Sequence, residues 1–277
     1  MLKPKTAEQI AKVIIWSISI LVIFLLLFII SFILIKGVPT LTWEFLTENP
    51  SDMGRSGGIF STIVSTMFVT SLSVLIATPF GVGTAFYLTE FTRETKITKI
   101  IRFSAESLAA IPSIVYGLFG FIFFVIYLNL GWSVISGSLT MAVMILPTII
   151  RTSEEAIRSV PNSYREVSYS LGGTKLQTIV GVVLPSAFPG IATGVILGIG
   201  RCVAETAAVI LTAGSSLRIP SSIFSPARTM AVHFYILARE GISMDRAYGT
   251  ATLLIIIILA INIGANGVIN RFVARNK

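Results

Sequence analysis

The sequence predicts an all-α polytopic membrane protein with about six transmembrane helices. Composition is the first reason: 54% of the 277 residues are hydrophobic and only 12% charged, against roughly 25% charged in a soluble domain. Mean hydropathy of +0.87 agrees. The second reason is length, because a helix crossing ~30 Å of hydrocarbon needs about 20 apolar residues. Six segments approach or exceed that: Val13–Ile35, Ile59–Leu88, Leu108–Leu128, Val134–Ile150, Ile179–Leu211 and Thr250–Val273. The third is placement, since basic residues gather at the ends of apolar stretches rather than within them.

The first segment follows Lys3, Lys5 and Lys12. It is too long for a signal peptide's apolar region of about 7–15 residues and lacks a small-residue cleavage site, so it reads as a retained anchor. The fourth segment is short. The fifth is long enough to include an interfacial piece before Pro189. Pro79, Pro112, Pro147, Gly81, Gly83, Gly117 and Gly120 punctuate the spans. They suit kinks and close backbone packing, or helices broken around a path.

Net charge is +8, but basic residues flanking apolar runs signal membrane orientation rather than nucleic acid. Fourteen Lys and Arg fall in the tails and the 89–107 and 151–178 connections, and six in the opposite set. The positive-inside rule places both termini in the cytoplasm. Cys202, the single cysteine, excludes an intrachain disulfide. The whole chain, 1–277, reads as one membrane domain: an N-terminal helix at 13–35 and a five-helix core at 57–273 that carries the cytoplasmic loop 151–178.

That loop holds the most specific local pattern. Ser163 and Glu166, three residues apart, suit a capping box. A short amphipathic helix is expected to follow and to end at Gly172 and Gly173, which tolerate the positive φ common at helix C-termini. Pro185 and Pro189 then mark re-entry into the membrane. No GxxxxGK[ST] loop is present to cradle nucleotide phosphates; the string Ser170-Leu171-Gly172-Gly173-Thr174-Lys175 has the wrong order and spacing.

Arg201 and Glu205 lie inside the apolar string GVILGIGRCVAETAAVILTAG. Residues four apart share a helix face. A charge at bilayer depth costs at least ~2.5–3.5 kcal/mol and is expected to face a partner or a wet path. Arg201 follows Pro189 by twelve residues, about 18 Å of helix, which sets it near mid-membrane. Two readings stay open: a self-neutralising pair that locks packing, or an anion contact whose guanidinium Glu205 orients. A guanidinium fork suits a tetrahedral oxyanion. Arg151, at the cytoplasmic end of the fourth segment, offers a second positive charge or a plain flanking one.

His233, beside Phe234 and Tyr235, reads as interfacial. Glu90 and Glu106 read as solvated ends or caps of spans. Glu44, Glu48 and Asp52 make the first outer loop acidic, which suits either solvation or docking of a binding protein.

The spacing Glu166, Gly172, Val182, Leu184 and Pro185 resembles the signature loop of ABC-importer permeases, with Val167 and Ser168 where two alanines are usual. More narrowly, GGIFSTIVST, TPFGVGTAFYLTEF, IPSIVYGLFG, LPTIIRTSEEAIRSVP and TGVILGIGRCVAET are similar, in order, to strings of the A-type permease subunit of phosphate-specific importers. The resemblance implies a type I ABC-importer permease fold in a bacterial inner membrane. It implies a heterodimer with a C-type permease subunit, two cytoplasmic ATPase subunits that use ATP and Mg, and an extracytoplasmic phosphate-binding protein. This chain would bind no cofactor or metal and perform no covalent chemistry. Arg151, Arg201 and Glu205 match motif positions linked with the phosphate path, and Glu166, Gly172, Leu184 and Pro185 match the ATPase-coupling loop. The rivals are a permease for molybdate, sulfate or phosphonate, an intramembrane hydrolase, for which no His–Glu zinc pattern or serine–histidine pair is evident, and a non-transporting scaffold.

Overall fold

A computed structural model of the chain describes residues 4–275. Helix α1 (Pro4–Gly37) carries the first apolar run. A short helix α2 (Trp43–Thr47) follows, started by Thr42, whose hydroxyl accepts from Phe45 N. Strands β1 (Pro50–Ser51) and β2 (Ser56–Gly57) then pair antiparallel. Helix α3 (Phe60–Phe86) runs on into a π turn at Tyr87–Phe91. Helix α4 (Lys96–Ala109) and helix α5 (Ser113–Gly120), which a π stretch extends through Tyr127, come next. Helix α6 (Val134–Ser159) precedes the loop helices α7 (Asn162–Ser170) and α8 (Lys175–Thr178). A π turn at Ile179–Val183 joins α8 to α9 (Leu184–Ala204). Helices α10 (Ala207–Thr212), α11 (Met230–Arg239) and α12 (Met244–Arg275) are the last of the described elements.

Among the described residues five helical stretches are long and apolar enough to cross a membrane, and α4 with α5 makes a sixth candidate bent by 102°. The expected span at Leu108–Leu128 is broken near its start: Leu108 and Ala109 end α4, and Ser113–Tyr127 carries the rest. Pro112 lacks an N–H and disfavours helix in the residue before it, so the chain turns at 110–112. The preceding 89–107 connection is mostly helix rather than loop. Pro79, Pro147 and Pro189, by contrast, lie inside continuous helices. The fourth segment extends past Ile150 to Ser159, and the fifth stops at Ala204 instead of reaching Leu211. The C-terminal expectation of Thr250–Val273 falls within α12.

The core lies between α3, α6, α9 and α10, around Val69, Met141, Ile145, Ile149, Cys202 and Val209. Small residues allow the helices to approach. A Cβ at Gly81 would lie 2.6 Å from Ile149 Cγ2, and one at Gly117 2.9 Å from Ala208 Cα. Gly120 sits as closely against Thr140. At these three positions the close-packing reading holds, whereas Gly83 faces open space. Along the α6–α9 seam Gly190 meets Ala156, Gly194 meets Thr152, and Gly198 meets Ile145 and Ile149.

Helix α1 docks against α12 by its last turns: Thr252 Oγ1 donates to Ile33 O at 3.2 Å, and Phe32 sets its ring edge to Tyr248. Residues 10–29 are exposed all round.

His233 is not interfacial. It is fully buried on α11, and the absence of a Cβ at Gly54 makes room for its ring, 2.7 Å from where that atom would lie. Burial first, then the nearby Arg228 and Arg246 charges, push its pKa down to about 3.

Two predictions follow from this packing. Gly81→Leu overpacks the α3–α6 contact and lowers stability by about 1–3 kcal/mol, read as a lower thermal midpoint in detergent, while Gly264→Leu, in open space, leaves it unchanged. The depressed His233 pKa means that the unfolded chain binds this proton more readily. Stability is therefore intact above pH ~6.5 and falls toward pH ~3 by about 1.4 kcal/mol per unit. Thermal midpoints from pH 7.5 to 5.0 should show this slope in the native chain and a flatter one in His233→Met.

Candidate functional site

Arg201 occupies the last turn of α9 and is half-buried. The helix ends three residues later because Glu205 takes extended backbone angles, φ −77° and ψ 131°. The expected shared helix face of Arg201 and Glu205 does not form. Glu205 instead turns forward, and its Oε1 accepts from Ala208 N at 3.2 Å, satisfying one of the orphaned amides at the start of α10. Among the described residues no carboxylate pairs with Arg201 within 4.0 Å, and no side-chain hydrogen bond to it is formed. The self-neutralising pair is thus not what the structure contains. The Arg201 charge lies within electrostatic range of Tyr116 on α5 and of the neighbouring Cys202.

The depth of Arg201 follows from its neighbours. Helix α10 leads on to Thr212, whose carbonyl accepts from Ser133 N at the start of α6. That end of the bundle is the one remote from the 160–178 loop. The six residues of α10 add about 9 Å, so the break and Arg201 are set well back from that end.

Arg151 is placed elsewhere. It is exposed on α6 and reaches Glu155, one turn on, at 3.4 Å. The α6–α9 contacts set Arg201 level with residue 145, so Arg151 lies about 9 Å further along the axis toward the loop. With Arg102, Glu106, Glu154 and Arg158 it lines a cavity of about 250 Å³ between α4 and α6. The two arginines are steps along one direction rather than one cluster.

The loop forms its amphipathic helix as α7, but not by the expected cap. Pro161 is the N-cap residue and Ser163 lies within the first turn, making no capping hydrogen bond. The reciprocal box is found one helix later, where Thr174 Oγ1 accepts from Gln177 N and Gln177 Oε1 accepts from Thr174 N. Gly172 does adopt the left-handed conformation, φ +82°, and Gly173 N donates to Ser168 O at 3.0 Å. Glu166 is exposed on α7; Leu184 packs partly into a small core with Ala85 and Ala156; Pro185 opens α9 from an exposed position. Leu171, 84% exposed, and Val167 on α7 present apolar surface to solvent.

Two residues outside the sequence candidates hold this loop. Arg165 Nη2 pairs with Glu90 Oε1 at 2.7 Å, their side chains only 15% and 9% exposed. Arg165 also donates to Val160 O and Ile157 O. Glu90 is therefore not a solvated end but the buried anchor of α7 on the π turn after α3. The available signal was a carboxylate closing the apolar run TPFGVGTAFYLTEF, which needed a cation that only the fold reveals.

The described residues thus form a helical bundle with five to six candidate membrane spans, an amphipathic loop helix and a break after the cation-bearing α9. Residues 77–277 match the family described as "Binding-protein-dependent transport system inner membrane component". The chain belongs to this family, the inner-membrane permeases of ABC importers. It is 36% identical over 251 residues to the "Probable ABC transporter permease protein YqgI" of Bacillus subtilis, covering 85% of each chain. It is 33% identical over 257 residues to the "Phosphate transport system permease protein PstA" of Pasteurella multocida, covering 90% of this chain and 91% of that one. Among solved structures, a bacterial alginate ABC transporter superposes with a TM-score of 0.69 at 16% identity, covering 96% of each chain. That likeness confirms the expected importer-permease fold.

Removing Arg165 strands a buried carboxylate, which costs about 3–5 kcal/mol when the partner is left unpaired. Arg165→Met is expected to increase proteolysis between residues 160 and 178 several-fold. Adding Glu90→Leu to that variant should restore most of the protection.

Proposed function

We propose that this chain is the phosphate-conducting permease subunit of an ABC importer, working by alternating access. The carrying observation is the guanidinium of Arg201, which has no counter-ion among the described residues and sits beside a break in a membrane span. An ionised group at such depth needs a partner or water, and a transient anion is that partner. The fork geometry of the guanidinium suits the oxygens of a tetrahedral anion. Relatives named as phosphate transport permeases, at 29–33% identity, favour phosphate among the oxyanions.

Arg201 is the anion contact in this reading. Arg151, further toward the loop, is a second contact or an attractor. Glu205 contributes by holding the break open rather than by gripping Arg201. Both termini lie in the cytoplasm, and the whole chain, with its core at 57–273, acts as one permease domain beside a C-type partner subunit. An extracytoplasmic phosphate-binding protein delivers the substrate. Two separate ATPase subunits bind ATP and Mg and dock at α7. Glu166, Gly172, Leu184 and Pro185 belong to the segment that carries their closure into α9, and the buried Arg165–Glu90 pair makes that segment stiff.

The test is labelled phosphate uptake at low external phosphate, in cells lacking this permease and complemented at matched membrane levels. The intact chain is expected to restore uptake and Arg201→Met to lose at least ten-fold of it. Equal rescue removes Arg201 from the path. Restored molybdate or sulfate uptake, without phosphate uptake, replaces the substrate.

A further inference from the structure

We propose that α4 lies in the headgroup layer of the membrane on the loop side and binds anionic lipid. Its direction is the first argument. Helix α4 departs from the α5 axis at 102°, so the two cannot both run along the membrane normal. Depth is the second. The eight residues of α5 and the seven of its π continuation reach at most about 22 Å, roughly 8 Å short of the hydrocarbon thickness. The bend at 110–112 therefore falls about 8 Å inside the loop-side edge of the hydrocarbon, within the roughly 5–10 Å depth at which amphipathic helices settle.

The distribution of side chains around α4 matches that position. Thr98 and Arg102 turn toward the bundle. Thr98 is buried, and Arg102 Nε donates to Glu154 Oε1 of α6 at 2.8 Å. At 100° per residue, Ile97, Ile101 and Leu108 fall on one flank, Lys99 and Glu106 on the other, and Ile100 and Phe103 on the face between them that points away from the bundle. Ile97 and Ile100 are 70% and 62% exposed, which is costly in water and favourable in acyl chains. The chemistry of the lipid comes from the cations. Arg93, Lys96 and Lys99 are exposed, and none of them forms an ion pair among the described residues. Long basic side chains reach the headgroups from such a helix, and each is attracted by an anionic leaflet.

The consequence reaches the transport machinery. Glu154 joins Arg102 of α4 to Arg158 of α6, the latter also at 2.8 Å, and Arg158 lies a few residues before α7. Lipid held at α4 thus fixes the floor of the cavity that Arg151 lines. The inference rests on the bend and the charges and is independent of which substrate the importer carries.

The experiment uses the full chain purified with its co-expressed transporter subunits, with Cys202→Ala and single nitroxide labels at position 97, 100 or 106. Vesicles contain phosphatidylcholine with or without phosphatidylglycerol. In the anionic vesicles, labels at 97 and 100 are expected to collide several-fold more with oxygen than with a water-soluble nickel chelate, and the label at 106 the reverse. Omitting phosphatidylglycerol, or combining Lys96→Gln with Lys99→Gln, should shift the ratio at 97 and 100 at least two-fold toward water. Labels shielded from both reagents would show that protein covers α4 and overturn the proposal. So would labels wet in both vesicle types, or a ratio indifferent to headgroup charge and to the lysine substitutions.

Discussion

Where α9 stops partway along the bundle, the peptide groups left without helical partners must find other partners. Ending a helix leaves four carbonyls and starting one leaves four amides, and in hydrocarbon each unpaired group costs several kcal/mol. Glu205 meets part of that demand, its carboxylate accepting from Ala208 N and its own amide donating to Cys202 O. In this geometry the carboxylate is turned toward the backbone of α10 and not toward Arg201. The break and the unpaired cation are thus one arrangement, and irregular backbone at this depth belongs where it lines a cavity. Close packing holds the rest in place, since Gly117 lets α5 approach Ala208 of α10 and Gly198 lets α9 lie on α6.

The second constraint sits at the other end of α9. Helix α7 is tied by the buried Arg165–Glu90 pair to the turn after α3, so it cannot pivot freely. From Lys175 the chain continues through a π turn into α9 as one long helical stretch. Displacement of α8 therefore has a direct route to Arg201 along a single element, and α7 joins α8 through the Gly172–Gly173 turn. Gly172, at φ +82° with open space around its Cα, is where the chain leaves α7 and turns toward α8.

Much of this was legible in one dimension. Long apolar runs specify spans, and the glycine stop after α7 follows from backbone sterics. The bend at Pro112 was only half legible: proline marks a boundary, but hydropathy continues across it and does not give an angle. The end of α9 was not legible, because CVAETAAVIL keeps helix-forming residues on both sides and the break depends on Glu205 finding Ala208 N. Pairing was misjudged for a related reason. Spacing of four suggested Arg201 with Glu205, yet the buried pair joins Arg165 to Glu90, seventy-five residues apart. Such contacts belong to tertiary packing, as does the burial of His233 behind Gly54.

The central claim is that a positive charge at position 201 faces an aqueous path through which the anion moves. Its most direct test is chemical modification of Arg201→Cys in a Cys202→Ala background, followed by phosphate uptake. A cationic aminoethyl thiosulfonate should restore a measurable part of uptake, a neutral reagent of similar size should not, and phosphate should slow the reaction. A thiol that neither reagent reaches, or equal rescue by both, would contradict the account.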